Sequence, residues 1–489
     1  MKKIIVLGGG TAGLMSAIML KTRFENSDIT VIKSKDIGII GVGEGSTEHF
    51  SDFCQFTGIA AKDIINATDA TLKKGIKFTN WNGDNKNYYH AINEPLYKQD
   101  FTGDNFIARW ALSLKNDVPL QDSLIELPIH AITNGIFSVN QYHFDTNKLN
   151  EFMLYQCQQR NINIVDNIIS DVQLDESGNV SSLVSEDGQT YTADFFVDSS
   201  GMKRVISSKL GSEWISYKKY LPMNHAIAFQ TPNKEILNPW TESVALSSGW
   251  NWNIPTQSRD GNGYVFCDEF CDVDKAYEEV SSQYNVPIEI AKDIKFDPGR
   301  LDKFWQKNCV SVGLSGSFVE PLEASSIGFS IIQTFGIMNM FEYWETSPQT
   351  AADKYNELFS NSFDNIVDFV QLHYFTKRND SEFWKAAPNI ITKTEFNEET
   401  LDIFSKQLPS WVYFTDSFTM FKQHNWIQVM AGLEMFDKES ISKSFNDNFS
   451  QRQIHKDASS VIEAEAQVKM KDAYIEHRVL LDQNKIYLG

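Results

Sequence analysis

The stretch IIVLGGGTAGLMSAIMLKTRFENSDITVIK, residues 4–33, carries the strongest structural signal in the chain. It begins with a continuous apolar run typical of a buried parallel strand, continues with a helical pattern over residues 14–22 and closes on a second strand over residues 28–33. Between the first strand and the helix lies a G-x-G-x-x-G motif made of Gly8, Gly10 and Gly13. In such a βαβ unit, this motif binds the pyrophosphate of a dinucleotide through backbone amides at the helix N-terminus. We therefore predict a dinucleotide-binding fold.

The composition of the 489-residue chain fits a globular protein and disfavours two classes of partner. Hydrophobic residues make up 42% of the chain, enough for a sizeable core. The chain has 44 Lys and Arg against 64 Asp and Glu, a net charge of −20 that repels phosphates. We therefore expect no nucleic-acid partner and no anionic membrane partner. No apolar stretch approaches the roughly 20 residues of a membrane span.

Cysteine usage and the N-terminus indicate a reducing compartment. The five cysteines are scattered along the chain and odd in number, so they do not form a disulfide framework. Cys267 and Cys271 are four residues apart, but no second pair or nearby histidine completes a zinc site, so we predict no metal. The apolar run near Met1 is too short for a signal peptide. We expect a cytoplasmic protein, and leave open whether it forms a homo-oligomer.

The rest of the chain divides into a strand-rich part and a helical part. Residues 161–198 alternate strand and turn patterns, which predict a three-stranded meander that returns to the main sheet. A strand followed by a helix is predicted over residues 309–344, and beyond residue 351 helical patterns prevail, including residues 459–479. We predict one module over residues 1–346 and a helical module over residues 347–489 that completes the substrate pocket.

Turns of small residues after two later strands favour FAD over NAD. Asp198-Ser199-Ser200-Gly201 and Gly313-Leu314-Ser315-Gly316-Ser317 resemble the second and third flavin contacts of the hydroxylase-like FAD fold. The expected fold class is therefore α/β, with a Rossmann-like FAD-binding module of the hydroxylase-like flavoprotein type, an inserted strand-rich region and a mainly helical C-terminal module. Because only one G-x-G-x-x-G motif is present, we expect the flavin to be used as FADH2 supplied by a separate NAD(P)H-dependent flavin reductase.

Six further motifs make the sequence resemble the flavin-dependent tryptophan halogenase family. They appear in family order and read GVGEGST (41–47), LKKGIKFTNW (72–81), YHFD (142–145), GWNWNIP (249–255), FVEPLE (318–323) and RNDSEFW (378–384). W-x-W-x-I-P together with F-V-E-P-L-E is the strong signal, since none of the other motifs would suffice alone. The resemblance implies an enzyme that uses reduced flavin, oxygen and a halide ion to make hypohalous acid, which then halogenates a small aromatic substrate.

The resemblance also implies a set of cofactor-binding residues. They are Gly8, Gly10, Thr11, Ala12, Gly13, Val42, Gly43, Ile168, Asp198, Gly313, Leu314 and Ile327. One position departs from the usual dinucleotide pattern: the end of the second strand, where an acid often holds the ribose, is Lys33.

Lys73 and Glu323 match the catalytic lysine and carboxylate of the family. The resemblance implies that Lys73 hydrogen-bonds hypohalous acid or is converted to a haloamine, while Glu323 orients the substrate and accepts the proton that the ring loses. From the residues alone, two alternatives stand. Lys73 would share one strand face with Gly75 and Lys77 as part of a solvated basic strand, and Glu323 would be an acid stabilised by the following helix dipole.

Ser325 and Ser326 match the positions whose backbone amides bind the halide in the family. The start of a helix suits an anion. The family usually reads Ser-Thr-Gly after the catalytic carboxylate, whereas this chain reads Ala324-Ser325-Ser326. Because the glycine is replaced, we predict a preference for bromide or iodide over chloride.

Aromatic residues make up 13% of the chain, and part of them match the family's substrate region. The resemblance places His90 and Leu322 at the substrate pocket, and makes Trp250 and Trp252 a wall between flavin and substrate; the alternative is a plain aromatic core patch. Residues 411–426 form a second aromatic cluster, for which we favour a core role. This cluster matches poorly the Tyr-Tyr run of members that bind free tryptophan, so we expect an indole or phenol.

Two other functions remain open at this point. One is a flavin monooxygenase that hydroxylates an aromatic ring, against which Lys73 and the two tryptophans argue. The other is a non-catalytic flavin-binding protein, against which the intact Lys73 and Glu323 argue.

Overall fold

The computed structural model describes residues 2–38, 43–91, 141–234, 236–284 and 286–448. Its strands are β1 Lys3–Leu7, β2 Asp28–Lys33, β3 Glu44–Gly45, β4 Thr71–Lys73, β5 Gly75–Thr79, β6 Asn87–Ala91, β7 Gln141–Phe144, β8 Asn163–Asp166, β9 Ile169–Leu174, β10 Val180–Ser185, β11 Thr190–Tyr191, β12 Phe195–Asp198, β13 Trp214–Ser216, β14 His225–Thr231, β15 Thr241–Ala245, β16 Gly249–Pro255, β17 Asp260–Phe266, β18 Ile290–Lys295, β19 Gly299–Leu301, β20 Trp305–Gln306, β21 Cys309–Ser311 and β22 Ser317–Phe318. Its α-helices are α1 Thr11–Arg23, α2 His49–Thr57, α3 Ala61–Ala67, α4 Thr146–Gln159, α5 Val205–Lys209, α6 Val273–Ser281, α7 Ser325–Thr346, α8 Pro348–Leu372, α9 Glu382–Ile390, α10 Glu395–Lys406, α11 Gln423–Gly432 and α12 Lys438–Asn448. Short 3₁₀ segments cover Gly201–Lys203, Gly313–Ser315, Pro321–Glu323 and Trp411–Tyr413.

The predicted βαβ unit lies at the centre of a six-stranded sheet. Its strand order is β20-β21-β12-β1-β2-β8, and β1 pairs in parallel with both β12 and β2. Four residues of β1, Ile4 to Leu7, are buried, as the continuous apolar run predicts for a strand covered on both faces. Helix α1 crosses from β1 to β2, so the α/β expectation is confirmed.

The strand-rich stretch after residue 161 forms the predicted meander. Strands β9, β10 and β11 make a three-stranded antiparallel sheet, and β12 then returns to pair with β1. Two details differ from the sequence pattern. Strand β8 belongs to the main sheet, and the single strand expected near residues 191–197 is divided into β11 and β12.

A second large sheet carries several of the predicted site residues. It has seven strands in the order β18-β14-β17-β16-β15-β5-β6, with β15 and β5 parallel and the other neighbours antiparallel. Strand β16 carries Trp250 and Trp252, while the edge strand β6 carries His90. This sheet therefore carries both the predicted wall residues Trp250 and Trp252 and the predicted substrate-pocket residue His90.

The helices after residue 346 pack on the first part of the chain. Helix α7 contacts α1 through the hydroxyls of Ser16 and Thr334, 2.9 Å apart, and α8 through Tyr355, whose hydroxyl donates to the Gln333 carbonyl at 3.1 Å. One hydrophobic cluster contains residues from Ile4 to Leu433. The described residues on both sides of residue 346 thus share a core, while the predicted helix over 459–479 lies outside the described residues.

Within the described ranges, no helix combines the length and apolarity needed to cross a membrane. The same part of the chain has no group of three or more His, Cys, Asp or Glu side chains that could hold a metal ion. All five cysteines are buried and unpaired.

Candidate active site

A cavity of about 840 Å³ opens at the carboxyl end of β1. This is within the range of about 300–1,000 Å³ usual for cofactor sites. Nine of the predicted cofactor residues line it: Gly8, Gly10, Thr11, Ala12, Gly43, Ile168, Gly313, Leu314 and Ile327. The parallel sheet therefore brings the three predicted flavin contacts, which are distant in sequence, to one opening.

The helix start at this cavity fits a pyrophosphate. Gly10 is the N-cap of α1, makes no side-chain cap and leaves the space around a would-be Cβ empty within 4 Å. Gly8 has φ +126° and approaches Ser199 so closely that a Cβ would lie 2.0 Å from the Ser199 carbonyl oxygen. The first turn of α1 carries no acid, so its free amides face the cavity without a competing negative charge.

Two of the predicted cofactor residues that the structure describes do not line the cavity. Gly13 packs against the backbone, where a Cβ would lie 2.3 Å from the Gly8 carbonyl oxygen. Asp198 is fully buried, and its carboxylate accepts hydrogen bonds from Ser200, Ile206 and Ser207 at the start of α5. Asp198 thereby organises the loop of residues 199–203, which does line the cavity. Val42 lies outside the described residues.

Lys33 lines the same cavity at the end of β2. Its stem occupies the space beside Gly9, where a Cβ would lie 2.6 Å from the Lys33 Cβ. The structure therefore keeps a lysine where many dinucleotide folds place a ribose-binding acid.

Lys73 is a buried lysine next to the cofactor cavity. It ends β4, is 2% exposed, and its ammonium donates to the Ser46 carbonyl at 2.9 Å. A Cβ at the cavity residue Gly45 would lie 3.3 Å from Lys73 Nζ and 3.6 Å from Ala324 Cβ. Burial lowers the pKa of Lys73 to about 8, although nearby Glu323 and Glu48 act to raise it.

The alternative of a solvated basic strand is wrong. Lys73 and Lys77 lie in different sheets, because the chain leaves β4 at Lys74, whose amide donates to the Pro239 carbonyl at 2.6 Å. Lys77 instead pairs with Glu242 at 3.2 Å in the seven-stranded sheet. Strand periodicity does not extend across such a change of sheet.

Glu323 is a buried carboxylate between two histidines. It ends a 3₁₀ turn, is 3% exposed, and its Oε2 accepts a hydrogen bond from His90 Nδ1 at 2.7 Å. On the other side, His373 Nε2 lies 2.8 Å from Glu323 Oε1, off the ideal hydrogen-bond direction. Burial alone would raise the pKa of Glu323, but the two imidazoles outweigh it and lower the pKa to about 2.

The segment after Glu323 has the geometry of an anion nest. Ala324 is in the left-handed region, with φ 53° and ψ 33°, and α7 begins at Ser325 without a side-chain cap. Ser325 is buried, whereas Ser326 faces the cofactor cavity. A left-handed residue followed by a 22-residue helix directs successive amides toward one point, where an anion is favoured.

The two tryptophans of β16 lie on one face of the seven-stranded sheet but differ in surroundings. Trp252 lines the cofactor cavity, and its ring covers Gly263, where a Cβ would lie 2.0 Å from the Trp252 Cη2 atom. Trp250 is 1% exposed, does not line the cavity, and lies 6.2 Å from Trp252 between ring centroids. Only Trp252 thus borders the cofactor space.

Two predicted substrate-pocket residues differ in their place. His90 lies beside Glu323, as described above, whereas Leu322 lines the cofactor cavity.

The aromatic cluster of residues 411–426 is divided: Phe414, Phe421 and Trp426 are buried in the core, while Trp411 is 53% exposed. The expected core role therefore holds for only part of this cluster.

Two more carboxyl groups near the site have raised pKa values. Glu44 lines the cofactor cavity, and burial raises its pKa to about 7. Glu320 accepts from the Tyr374 hydroxyl at 2.7 Å, and burial raises its pKa to about 8. Both groups are therefore largely or partly protonated near neutral pH, which distinguishes them from Glu323.

Glu323 and its partner His90 contact residues that sequence reasoning did not select. They are His373, whose Nδ1 lies 2.8 Å from the Tyr88 hydroxyl, and Asn425, whose Nδ2 donates to His90 Nε2 at 2.8 Å. Their sequence separations from Glu323 range from 50 to more than 200 residues, so no local spacing links them. The only available signal was proximity in sequence: Tyr88 lies two residues before His90, and His373 lies five residues before the motif RNDSEFW.

Comparisons with known proteins agree on one family. The model of the tryptophan halogenase family matches residues 3–445. The tryptophan 7-halogenase KtzQ of Kutzneria sp. (strain 744) is 30% identical over 440 residues, which cover 83% of this chain and 82% of that protein. The tryptophan 7-halogenase RebH of Lentzea aerocolonigenes is 30% identical over 415 residues, 78% of each chain.

Solved structures give the same result. BrvH, a flavin-dependent halogenase from Brevundimonas sp. BAL3, superposes with a TM-score of 0.85 at 26% identity and 99% coverage of both chains. The similarity therefore spans the fold and the site together.

Proposed function

The chain belongs to the tryptophan halogenase family of flavin-dependent enzymes, and we propose that it halogenates an electron-rich indole or phenol with Lys73 and Glu323 as catalytic residues. The observation that carries the proposal is the burial of two opposite charges beside a cofactor-sized cavity. Lys73 and Glu323 are each no more than 3% exposed. Their surroundings meet at Gly45, where a Cβ would lie 3.3 Å from Lys73 Nζ and 3.6 Å from the Cβ of Ala324, the residue after Glu323. A buried lysine and carboxylate at a cofactor cavity are expected at sites of chemistry.

The cofactor would be held by Gly8, Gly10, Thr11 and Ala12 at the helix start, with Ile168, Gly313 and Leu314 further along the cavity. When bound in its reduced form, FAD supplies hypohalous acid from oxygen and a halide ion. Trp252 borders the cavity and would keep the aromatic substrate from direct contact with the flavin. This separation favours halogenation over hydroxylation.

Lys73 would then direct the halogen. Among the described residues, its ammonium donates to the Ser46 carbonyl, and an ammonium has three donors, so the others can polarise hypohalous acid. Electrophilic attack leaves a positively charged, strongly acidic ring, and Glu323 stabilises that charge and accepts the ring proton. Because the protonated ring is such a strong acid, a carboxylate with a lowered pKa is still basic enough.

The substrate class rests on the segment Trp411-Val412-Tyr413-Phe414-Thr415-Asp416. Trp411 and Tyr413 are exposed and Phe414 is in the core, and the stretch lacks the Tyr-Tyr run expected for binding the amino-acid part of tryptophan. We propose indoles or phenols without a zwitterion as substrates, although the relatives above carry the name tryptophan halogenase. Free tryptophan, assayed beside indole, provides the test: preference for tryptophan would contradict this part.

The halide would bind at the amides of Ser325 and Ser326. A side chain at residue 326 replaces the glycine of the family pattern at the edge of the cavity. Bromide and iodide lose their hydration more cheaply than chloride, so an altered nest favours them. Rates with each halide at equal concentration decide this point, and a clear chloride preference would overturn it.

The function as a whole is tested with purified protein, FAD, NADH and a separate flavin reductase. Each halide is combined with a panel of indoles and phenols, and products are analysed by mass spectrometry. Halogenated product, identified by its isotope pattern, is the expected result. A hydroxylated product would indicate the monooxygenase alternative, and flavin binding without any product would indicate a non-catalytic protein.

A further inference from the structure

We propose that His373, oriented by Tyr88, is a positioning residue that holds Glu323 as a fixed carboxylate facing Lys73. This inference rests on the proposed function of Glu323 and adds to it the group that fixes its state.

The proton on His90 is located by Asn425. The backbone amide of Lys422 donates to Asn425 Oδ1 at 2.7 Å, so the Asn425 Nδ2 group is the one that faces His90 Nε2, at 2.8 Å. Since Nδ2 can only donate, His90 Nε2 is an acceptor. The neutral His90 ring therefore carries its proton on Nδ1 and donates it to Glu323 Oε2.

The proton on His373 is located by Tyr88 in the same way. His373 Nε2 faces the carboxylate at 2.8 Å, and its Nδ1 faces the Tyr88 hydroxyl at 2.8 Å. Both contacts are attractive for a neutral ring only when Nε2 carries the proton and the hydroxyl donates to Nδ1. Burial lowers the pKa of His373, which favours the neutral ring.

The His373 ring is held in this orientation by packing. It stacks on Phe78 with 4.6 Å between ring centroids and meets Trp81 edge-on at 5.7 Å. Tyr88 stacks on the same Phe78 ring at 4.7 Å, and His373 is 0% exposed. A ring fixed on both sides cannot turn its Nε2 away from the carboxylate without disturbing the core.

The arrangement has one chemical consequence for Glu323. Each carboxylate oxygen faces an imidazole N–H, and neither ring has a free acceptor atom on that side. A proton on Glu323 therefore could not pass to His90 or His373. The two neutral rings thus stabilise the ionised carboxylate as donors, and the other titratable groups that interact with it are the Tyr88 hydroxyl and the Lys73 ammonium.

The test compares His373→Phe, which removes both ring nitrogens, with His373→Gln, whose amide nitrogen can replace Nε2 as a donor. Indole and bromide are used, with FAD and a reductase, and hypobromous acid is trapped separately by a reactive diketone. We expect His373→Phe to form hypobromous acid at the normal rate, but brominated indole to fall about tenfold because Glu323 loses a donor. His373→Gln should retain most of the product.

The pH profile separates positioning from a merely structural role. In His373→Phe the Glu323 carboxylate becomes easier to protonate, so bromination should decline on the acid side at a higher pH than in the wild type. Tyr88→Phe, which removes only the hydroxyl, should also move the decline of bromination on the acid side to a higher pH. This variant replaces His373→Phe in the test if His373→Phe does not fold. His225→Phe removes another buried histidine with a carboxylate partner, Asp293 at 2.6 Å, and should leave the profile unchanged.

An infrared titration tests the inference without activity. The infrared band of the protonated Glu323 carboxyl group is identified by its absence in Glu323→Gln. As the pH is lowered, this band should appear at a higher pH in His373→Phe than in the wild type. If the wild type makes no halogenated indole but this band shifts, the proposed function fails and the inference stands. Unchanged product, pH profile and band in His373→Phe would overturn the inference, as would equal loss of hypobromous acid and product in both His373 variants.

Discussion

The charge state of Lys73 changes within the pH range of an assay. Burial lowers its pKa to about 8, so the ammonium predominates below that pH and the free amine above it. If the ammonium polarises hypohalous acid, halogenated product per hypohalous acid trapped falls as the pH rises through about 8. The measurement is this ratio between about pH 6 and pH 10. A ratio that rises with pH would show that the free amine reacts and that a haloamine is formed.

Gly263 is required at its position by the ring of Trp252. A Cβ there would lie 2.0 Å from the Trp252 ring and 2.5 Å from the Ile227 carbonyl oxygen, so the ring must move. We expect Gly263→Ala to lower the free energy of unfolding by about 1–3 kcal/mol and to weaken FAD binding, because Trp252 borders the cofactor cavity. Thermal unfolding and FAD titration check both effects.

A double variant distinguishes the Trp252 ring from the Ile227 carbonyl oxygen as the group that excludes a side chain at position 263. Adding Trp252→Phe to Gly263→Ala shortens the ring and should restore part of the lost stability. No restoration would mean that the Ile227 carbonyl, and not the tryptophan, is the group that excludes a side chain.

At the residue scale, the sequence indicated which residues are candidates for the site but not which side chains surround them. The family motifs selected Lys73 and Glu323, but the strand pattern around Lys73 suggested exposure, because nothing in it marks the change of sheet at Lys74. His373 was not selected at all, since its contact with Glu323 joins positions 50 residues apart. Such contacts depend on tertiary packing, which a single sequence does not show.

At the element scale, the start of α1 offers a matched pair of glycines. Gly10→Ala adds a methyl group into open cavity space, whereas Gly13→Ala adds one 2.3 Å from the Gly8 carbonyl oxygen. We expect Gly10→Ala to weaken FAD binding while leaving the unfolding temperature of the flavin-free protein unchanged. Gly13→Ala should destabilise the flavin-free protein by about 1–3 kcal/mol.

Calorimetry with and without FAD checks this pair. Gly10→Ala that binds FAD as tightly as the wild type would contradict the assignment of this helix start to the pyrophosphate. An equal loss of stability in both variants would show that Gly10 is also needed for packing.

Elements with a strong periodic pattern were the predictable part of the fold. The apolar run of β1, the glycines before α1 and the turns of the meander have local causes, and the structure confirms them. Asp198 shows the limit. Its position at the end of β12 suggested a flavin contact, yet its carboxylate accepts from amides at the start of α5, and residues 199–203 line the cavity in its place.

At the scale of the whole molecule, the two predicted modules share one hydrophobic core among the described residues. The core joins the cofactor cavity to the region of Glu323 and His373, so a change in the C-terminal helices can reach the Glu323 carboxylate. His373 directly follows α8, the first helix after residue 346, which contacts α7 through Tyr355.

The molecule as a whole is expected to accept reduced flavin without contact with a particular reductase. Only one dinucleotide motif occurs in the sequence, and the cofactor cavity opens at the carboxyl end of the central sheet. Chemically reduced FAD, mixed with protein, bromide, indole and oxygen, should give brominated indole in the absence of any reductase. Product that forms only with one reductase would show that a specific complex is needed.

The most direct test of the central claim is Lys73→Ala assayed for two products at once. With reduced FAD, oxygen, bromide and indole, the account predicts that trapped hypobromous acid remains near the wild-type amount, because the cofactor cavity and the halide nest are intact. Brominated indole should fall by at least about a hundredfold, the scale of a lost catalytic group. Brominated indole at the wild-type level in Lys73→Ala would contradict the claim that this lysine directs the halogen.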